Sequence, residues 1–202
     1  MQPTPARATV SPLAAQFAAR RYVVVPGLLP APQAQVLAAH LDQRQARGEL
    51  SLIDPQVPQT PSVYGDLEME RLMGQVGPWL ELYTGLSLYP TYSFARIYKK
   101  GDVLKPHRDR AACEVSVSLN LGQEPDAPWP LWLRDHDGKD FAAILKPGDA
   151  LIYRGIELVH WREAYEGDKL AQVFLHYVDR NGPNAGEIFD RRPGLGAPGV
   201  QK

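Results

Sequence analysis

Cysteine is almost missing from this chain: among 202 residues there is one, Cys113. That excludes an internal disulfide framework and points to a reducing compartment, the cytoplasm. Long hydrophobic runs are missing as well, so no membrane span is expected, and the start, Met1 to Ser11, lacks the charged-then-apolar order of a signal peptide. Neither sign of charge dominates. The formal net charge is −1, which gives no global attraction to nucleic acid or an anionic membrane, so neither is expected as a partner. A Gly-rich phosphate loop, a Ser-His-Asp grouping, a Cys-x-x-Cys pair, internal repeats and low-complexity segments are also absent. What is present is an ordinary soluble composition, 44% hydrophobic and 22% charged, enough to build one domain with a real core over residues 1–202.

Three regions follow from texture. Residues 12–88 read as a helical N-terminal part. After a frayed Pro/Ala-rich start, Ala14–Arg20 suits a short helix and Arg21–Pro26 a β-branched strand; Gln33–Arg47 carries Val36, Leu37 and Leu41 at helical spacing until Gly48 stops it. Leu50–Gly65 holds three prolines and reads as a loop that crosses the mouth of a site. A second helix over Asp66–Thr84 is weakened by Gly74 and Gly77-Pro78 and closed by Gly85. From about 89 to 178 short apolar runs alternate with Gly, Pro and Asp, which predicts eight strands: Thr91–Lys99, Leu104–Asp109, Glu114–Leu121, Pro130–Arg134, Phe141–Leu145, Ala150–Tyr153, Leu158–Arg162 and Lys169–Val178. Asp137-Gly138 marks a hairpin turn. Residues 181–202, rich in Gly, Pro and Arg, read as a loose tail.

The chemistry concentrates in His107-Arg108-Asp109 and, far downstream, His160. On a strand, residues two apart share a face, so His107 and Asp109 would point the same way. If folding brings His160 alongside, the set is two imidazoles and one carboxylate on one side of a metal, the facial triad of non-haem iron(II) oxygenases. By the same alternation Arg108 and Arg110 would point away, or form a basic rim with Lys99, Lys100 and Lys105. His136 and His176 have no partner at metal spacing, and Cys113 reads as a small buried apolar residue. Trp129, Trp132 and Trp161 are read mainly as core.

The surroundings make a resemblance specific. Tyr98-Lys-Lys-Gly101, Leu104-Lys-Pro-His107, Ser116-Val-Ser-Leu-Asn-Leu121, Lys146-Pro-Gly-Asp149 and Ala150-Leu-Ile-Tyr153, ahead of His160, resemble the iron(II)- and 2-oxoglutarate-dependent dioxygenases, in the prolyl 4-hydroxylase-like branch. The likeness covers about Tyr89 to Val178. It implies a mainly β fold with flanking α-helices: a double-stranded β-helix, the jelly roll also found in cupins. It also implies Fe(2+) held by His107, Asp109 and His160, with 2-oxoglutarate and O2 as cosubstrates.

In that branch a lysine about ten residues beyond the distal histidine binds the far carboxylate of 2-oxoglutarate, which Gly167-Asp168-Lys169 reproduces one residue nearer. Arg162, two residues past His160 and on its face, is the alternative, with a guanidinium fork suited to a carboxylate. Tyr98 would donate a hydrogen bond to the cosubstrate. A carboxylate at 109 favours hydroxylation over halogenation, and the substrate is expected to be a small molecule or a protein side chain. Two other readings stay open. A non-catalytic cupin-like binder would be expected to show His-x-His plus Glu, and an AlkB-like nucleic-acid demethylase a basic stripe. The oligomeric state is not legible.

Overall fold

A computed structural model describes residues 11–125 and 128–197. The Pro/Ala-rich start, Asp126 and Ala127, and the last five residues of the expected tail lie outside the described residues. Three helices, α1 (Pro12–Arg20), α2 (Ala31–Ala46) and α3 (Leu67–Thr84), accompany ten strands: β1 (Tyr22–Val25), β2 (Ser62–Tyr64), β3 (Leu88–Lys99), β4 (Leu104–His107), β5 (Val115–Glu124), β6 (Leu131–Arg134), β7 (Asp140–Ala143), β8 (Ala150–Tyr153), β9 (Val159–Arg162) and β10 (Lys169–Asp179). The strands form two antiparallel sheets, one ordered β1-β8-β5-β10-β3-β2 and the other β4-β9-β6-β7. This is the jelly roll with helices on one sheet that the sequence implies.

Two apolar layers hold it. Phe17, Leu41, Met69, Met73 and Leu80 from the helices pack on Ala95, Val117, Leu119, Val173 and Leu175 of the large sheet. Leu131, Leu133, Leu151, Leu170 and Phe174 fill the space between the sheets. Each fully buried side chain of this kind contributes roughly 1.5–3 kcal/mol, and β5 alternates, with Val115, Val117, Leu119 and Leu121 in the helix-side core and Ser116, Ser118 and Asn120 on the other face.

Local chemistry sets the ends of α3. Asp66 accepts hydrogen bonds from the backbone N–H of Glu68 and Met69, and Gly85 closes the helix in the left-handed region. Contrary to the weakening expected at Gly77-Pro78, the helix runs through Pro78. Its buried face, Met69, Leu72, Met73, Val76 and Leu80, outweighs the roughly 3 kcal/mol proline penalty. The region after Asp179 also differs from the expected loose tail. Residues 185–191 form short 3-10 turns broken by a kink at Ile188, Phe189 and Asp190, and Arg192 is buried against Glu70 of α3 at 2.5 Å while donating to the carbonyls of Thr91, Phe189 and Ala197. Among the described residues no helix is long and apolar enough to cross a membrane.

Candidate metal centre and its cavity

His107 and His160 are register partners across β4 and β9. Between Leu104 and His107 the pairing shifts, a bulge at the stretch holding Pro106, which has no N–H to give to a ladder. Beyond His107 the strand stops, so Asp109 does not reach the site by strand alternation as the sequence suggests. It is placed by its own backbone, whose N–H donates to the Gly155 carbonyl at 2.9 Å. For the same reason Arg108 and Arg110 do not point away: both line the cavity beside the site.

The donor atoms converge. His107 Nε2 and His160 Nε2 lie 3.7 and 3.6 Å from Asp109 Oδ1, and the ligand atoms of all three lie within 4.8 Å of one another. Each imidazole is turned by its other nitrogen: His107 Nδ1 donates to the Lys105 carbonyl at 2.8 Å and His160 Nδ1 to the Leu158 carbonyl at 3.0 Å. A carbonyl only accepts, so both Nδ1 atoms carry the proton and both Nε2 lone pairs face inward. Burial holds His160 below its ordinary pKa, against the pull of Asp109, and so keeps it neutral. Asp109 Oδ2 accepts from Ser116 Oγ at 3.0 Å, leaving Oδ1 for a metal. A first-row dication with bonds of about 2.1 Å takes neighbouring donors about 3 Å apart, so a small inward movement closes the set. Two neutral imidazoles and one carboxylate fit ferrous iron.

Gly155 makes room for this carboxylate. A Cβ there would lie 2.7 Å from the Cys113 carbonyl oxygen and 2.9 Å from Ser116 Oγ, and closer still to Asp109 Oδ2. Nothing in the sequence marks this glycine, since the contact joins residues 46 positions apart. A second grouping, Asp109, Cys113 and His176, also has its possible ligand atoms within 4.8 Å of one another. Ser116 Oγ bridges it instead, bonding Asp109 Oδ2, the Cys113 carbonyl and, at 2.9 Å, His176 Nδ1. The Cys113 thiol, pushed up by burial, pairs with Tyr92 Oη at 3.0 Å.

The cavity against the triad has a volume of about 470 Å³ and is lined by the aromatic residues Tyr64, Tyr92, Phe94 and Phe174, by His176, and by the charged residues Asp54, Arg96, Arg108 and Arg110. Asp54, Pro55 and Gln56 of the 50–65 loop are part of this lining. The three expected cosubstrate residues part company. Tyr98 and Arg162 are fully buried behind the cavity wall. Lys169 is not brought to the site: on β10 it faces helix α2, pairing with Asp42 at 2.9 Å and Glu124 at 3.3 Å. Its neighbour Leu170 holds the inward position.

Arg162 donates to the Trp129 carbonyl at 2.7 Å and to Gln172 Oε1 at 3.1 Å, and its Nε has no partner. Burial lowers its pKa to about 10, which leaves it charged at neutral pH. Arg96, which the sequence analysis did not single out, is ion-paired with Asp54 and donates to Tyr98 Oη at 2.8 Å. Both guanidiniums stand over the Tyr98 ring, at 5.2 and 5.8 Å. Of these two buried cations only Arg96 has a carboxylate, Asp54, and a second carboxylate would complete the set. Because Tyr98 Oη accepts from Arg96, its own proton is available to donate. Trp129 packs under Arg162 at 4.4 Å, while Trp132 and Trp161 stack on each other away from the cavity.

Neither a family model nor a curated protein matches the sequence. Solved structures do. A Pseudomonas putida prolyl-4-hydroxylase is 18% identical with a TM-score of 0.70, covering 86% of this chain and all of its own. The non-heme alpha ketoglutarate dependent epimerase SnoN from nogalamycin biosynthesis is 19% identical, TM-score 0.72, over 94% of this chain and 92% of its own. EctD from S. alaskensis with bound Fe is 17% identical, TM-score 0.69, over 97% and 86%. The fold of this chain is the one these proteins share.

Proposed function

We propose that the protein is a non-haem iron(II)- and 2-oxoglutarate-dependent oxygenase that hydroxylates a small molecule or a protein side chain, with release of succinate and CO2. The observation that carries the reading is the convergence of His107 Nε2, His160 Nε2 and Asp109 Oδ1, each turned inward by a hydrogen bond on its other side. Shared fold with iron and α-ketoglutarate proteins supports it at the level of class. Iron and 2-oxoglutarate, when bound, supply the oxidising power that an unactivated C–H bond requires.

The protein's own part is positional. His107, His160 and Asp109 hold the metal from one side, and the carboxylate at 109 fills the position that a halogenase keeps for halide. Arg162 is the cation for the far carboxylate of the keto acid, assisted by the Tyr98 hydroxyl; the support is its burial without an acidic partner. Aromatic side chains on the cavity wall exclude water and fix which C–H bond faces the metal. A lone buried thiol, Cys113, suits a reducing cytoplasm.

The test is succinate release from 2-oxoglutarate by the iron(II)-loaded protein with candidate substrates added. Turnover that stops in Asp109→Ala supports the reading. Bound iron with no turnover over a broad substrate panel would favour the cupin-like binder instead.

A further inference from the structure

Resting on that reading, the charge and shape of the cavity name a chemical class for the substrate. Three guanidiniums line it, and they differ in what faces them. Arg96 is paired with Asp54. Arg110 donates twice to Asp190, at 2.6 and 2.8 Å, and lies 4.6 Å above the Tyr92 ring. Arg108 is exposed, and its guanidinium makes no ion pair, hydrogen bond or ring contact among the described residues. The carboxylates lining the cavity are Asp54, taken by Arg96, and Asp109, held by Ser116 and directed at the metal position. One positive charge at the mouth is therefore unmatched.

An aromatic wall, its rings packed on one another, forms another part of the lining. Tyr64 and Tyr92 stack at 4.9 Å, Tyr92 lies 4.6 Å from the His176 ring, and His176 is nearly parallel to Phe174, at 8° and 6.5 Å. With Nδ1 donated to Ser116 Oγ, His176 keeps Nε2 as a bare acceptor on this wall. Such rings offer apolar contact to a substrate's carbon skeleton, and a guanidinium fork grips a carboxylate or phosphate with two parallel hydrogen bonds. A cavity of about 470 Å³ that must also admit the keto acid leaves room for a small partner. We propose that the substrate is a small molecule bearing an anionic group, carboxylate or phosphate, with the anion on Arg108 and its apolar part against the aromatic lining.

The experiment uses the full chain saturated with Zn(II) and the keto-acid mimic N-oxalylglycine, so that the metal and cosubstrate positions are filled and no turnover intervenes. Phenylacetate, phenyl phosphate and the neutral phenylacetamide are titrated by calorimetry and ligand-observed NMR. At least one anion is expected to bind about tenfold more tightly than the amide, as a charge-assisted contact provides. The anion preferred tells carboxylate from phosphate. In Arg108→Gln the preference is expected to vanish with phenylacetamide binding unchanged, and in Arg108→Lys part of it is expected to return. Equal binding of all three probes, no binding of any, or an undiminished preference in Arg108→Gln overturns the proposal. Failure to retain Zn(II) and N-oxalylglycine would take down the oxygenase reading itself, and this inference with it.

Discussion

His107 and His160 face each other across two short strands with ring centroids 4.2 Å apart, and each spends its Nδ1 proton on the carbonyl two residues earlier in its own chain segment. The two rings are thus aimed by backbone carbonyls, and His160 also packs edge-on against Tyr153, whose Oη lies 3.4 Å from its Nε2. Asp109 is different. It lies past the end of β4 and depends on Gly155 and Ser116 for its place.

Replacing Gly155 with alanine is expected to displace the Asp109 carboxylate while leaving both histidines aimed. Loss of a group that orients a metal ligand typically costs 10–100-fold in metal affinity. Zn(II) competition titration against a chromophoric chelator should show about that loss in Gly155→Ala. Wild-type affinity in the variant would mean that the carboxylate is not held as described.

Arg162 and Lys169 should separate cleanly. Arg162→Met is expected to weaken 2-oxoglutarate binding by about 10–100-fold, the worth of a charge-assisted hydrogen bond, with little loss of stability because a buried charge is relieved. Lys169→Ala should leave that affinity within about twofold and cost under about 1 kcal/mol, as suits its partly exposed ion pair. Calorimetric titration of 2-oxoglutarate into the Zn(II) protein reads both, and the reverse ranking would return the role to Lys169.

The place of Lys169, facing α2, shows where spacing along the sequence stops being informative. Spacing from His160 counts residues, whereas the carboxylate site depends on which face of β10 a residue takes. With Ala171, Val173 and Leu175 packed against the helices and Leu170 and Phe174 between the sheets beside the buried Gln172 and His176, both faces carry large apolar residues and the one lysine at the strand's start does not reveal its facing. The jelly roll and the triad were legible because strand punctuation and metal-ligand types are local signals. Gly155, the Ser116–His176 pair and Arg96 were not, since each matters only through contacts between segments distant in sequence. The region after Asp179 was misread because its composition suits disorder, while a single buried ion pair, Arg192 with Glu70, fastens it.

That ion pair gives a stability prediction. Glu70→Ala leaves the Arg192 charge buried without its partner, which should cost about 3–5 kcal/mol, measured by urea denaturation. Limited proteolysis should then cut first between residues 180 and 197. A loss below about 1 kcal/mol, with the segment still protected, would show that Arg192 does not anchor it.

Acid should destabilise the metal-free protein through its buried imidazoles. Burial pushes His176 down from an ordinary 6.5 to about 4, and His160 is shifted in the same direction. Between these values the unfolded chain binds a proton at His176 that the native state does not. Stability should therefore fall as pH drops from about 6.5 to about 4, by at most about 3 kcal/mol from His176, and level off below. Urea midpoints at pH 7 and pH 5 with chelator present should differ less for His176→Phe than for the wild type. Equal losses in the two proteins would contradict the assignment.

The central claim is that His107, Asp109 and His160 hold one ferrous ion with positions left for a keto acid. Anaerobic titration of the iron(II) protein with 2-oxoglutarate, followed in the visible, tests it most directly. A charge-transfer band that saturates at one equivalent, and that is absent in His160→Ala and Asp109→Ala, is the predicted result. An iron(II) protein that gives no band, or variants that give it undiminished, would contradict the account.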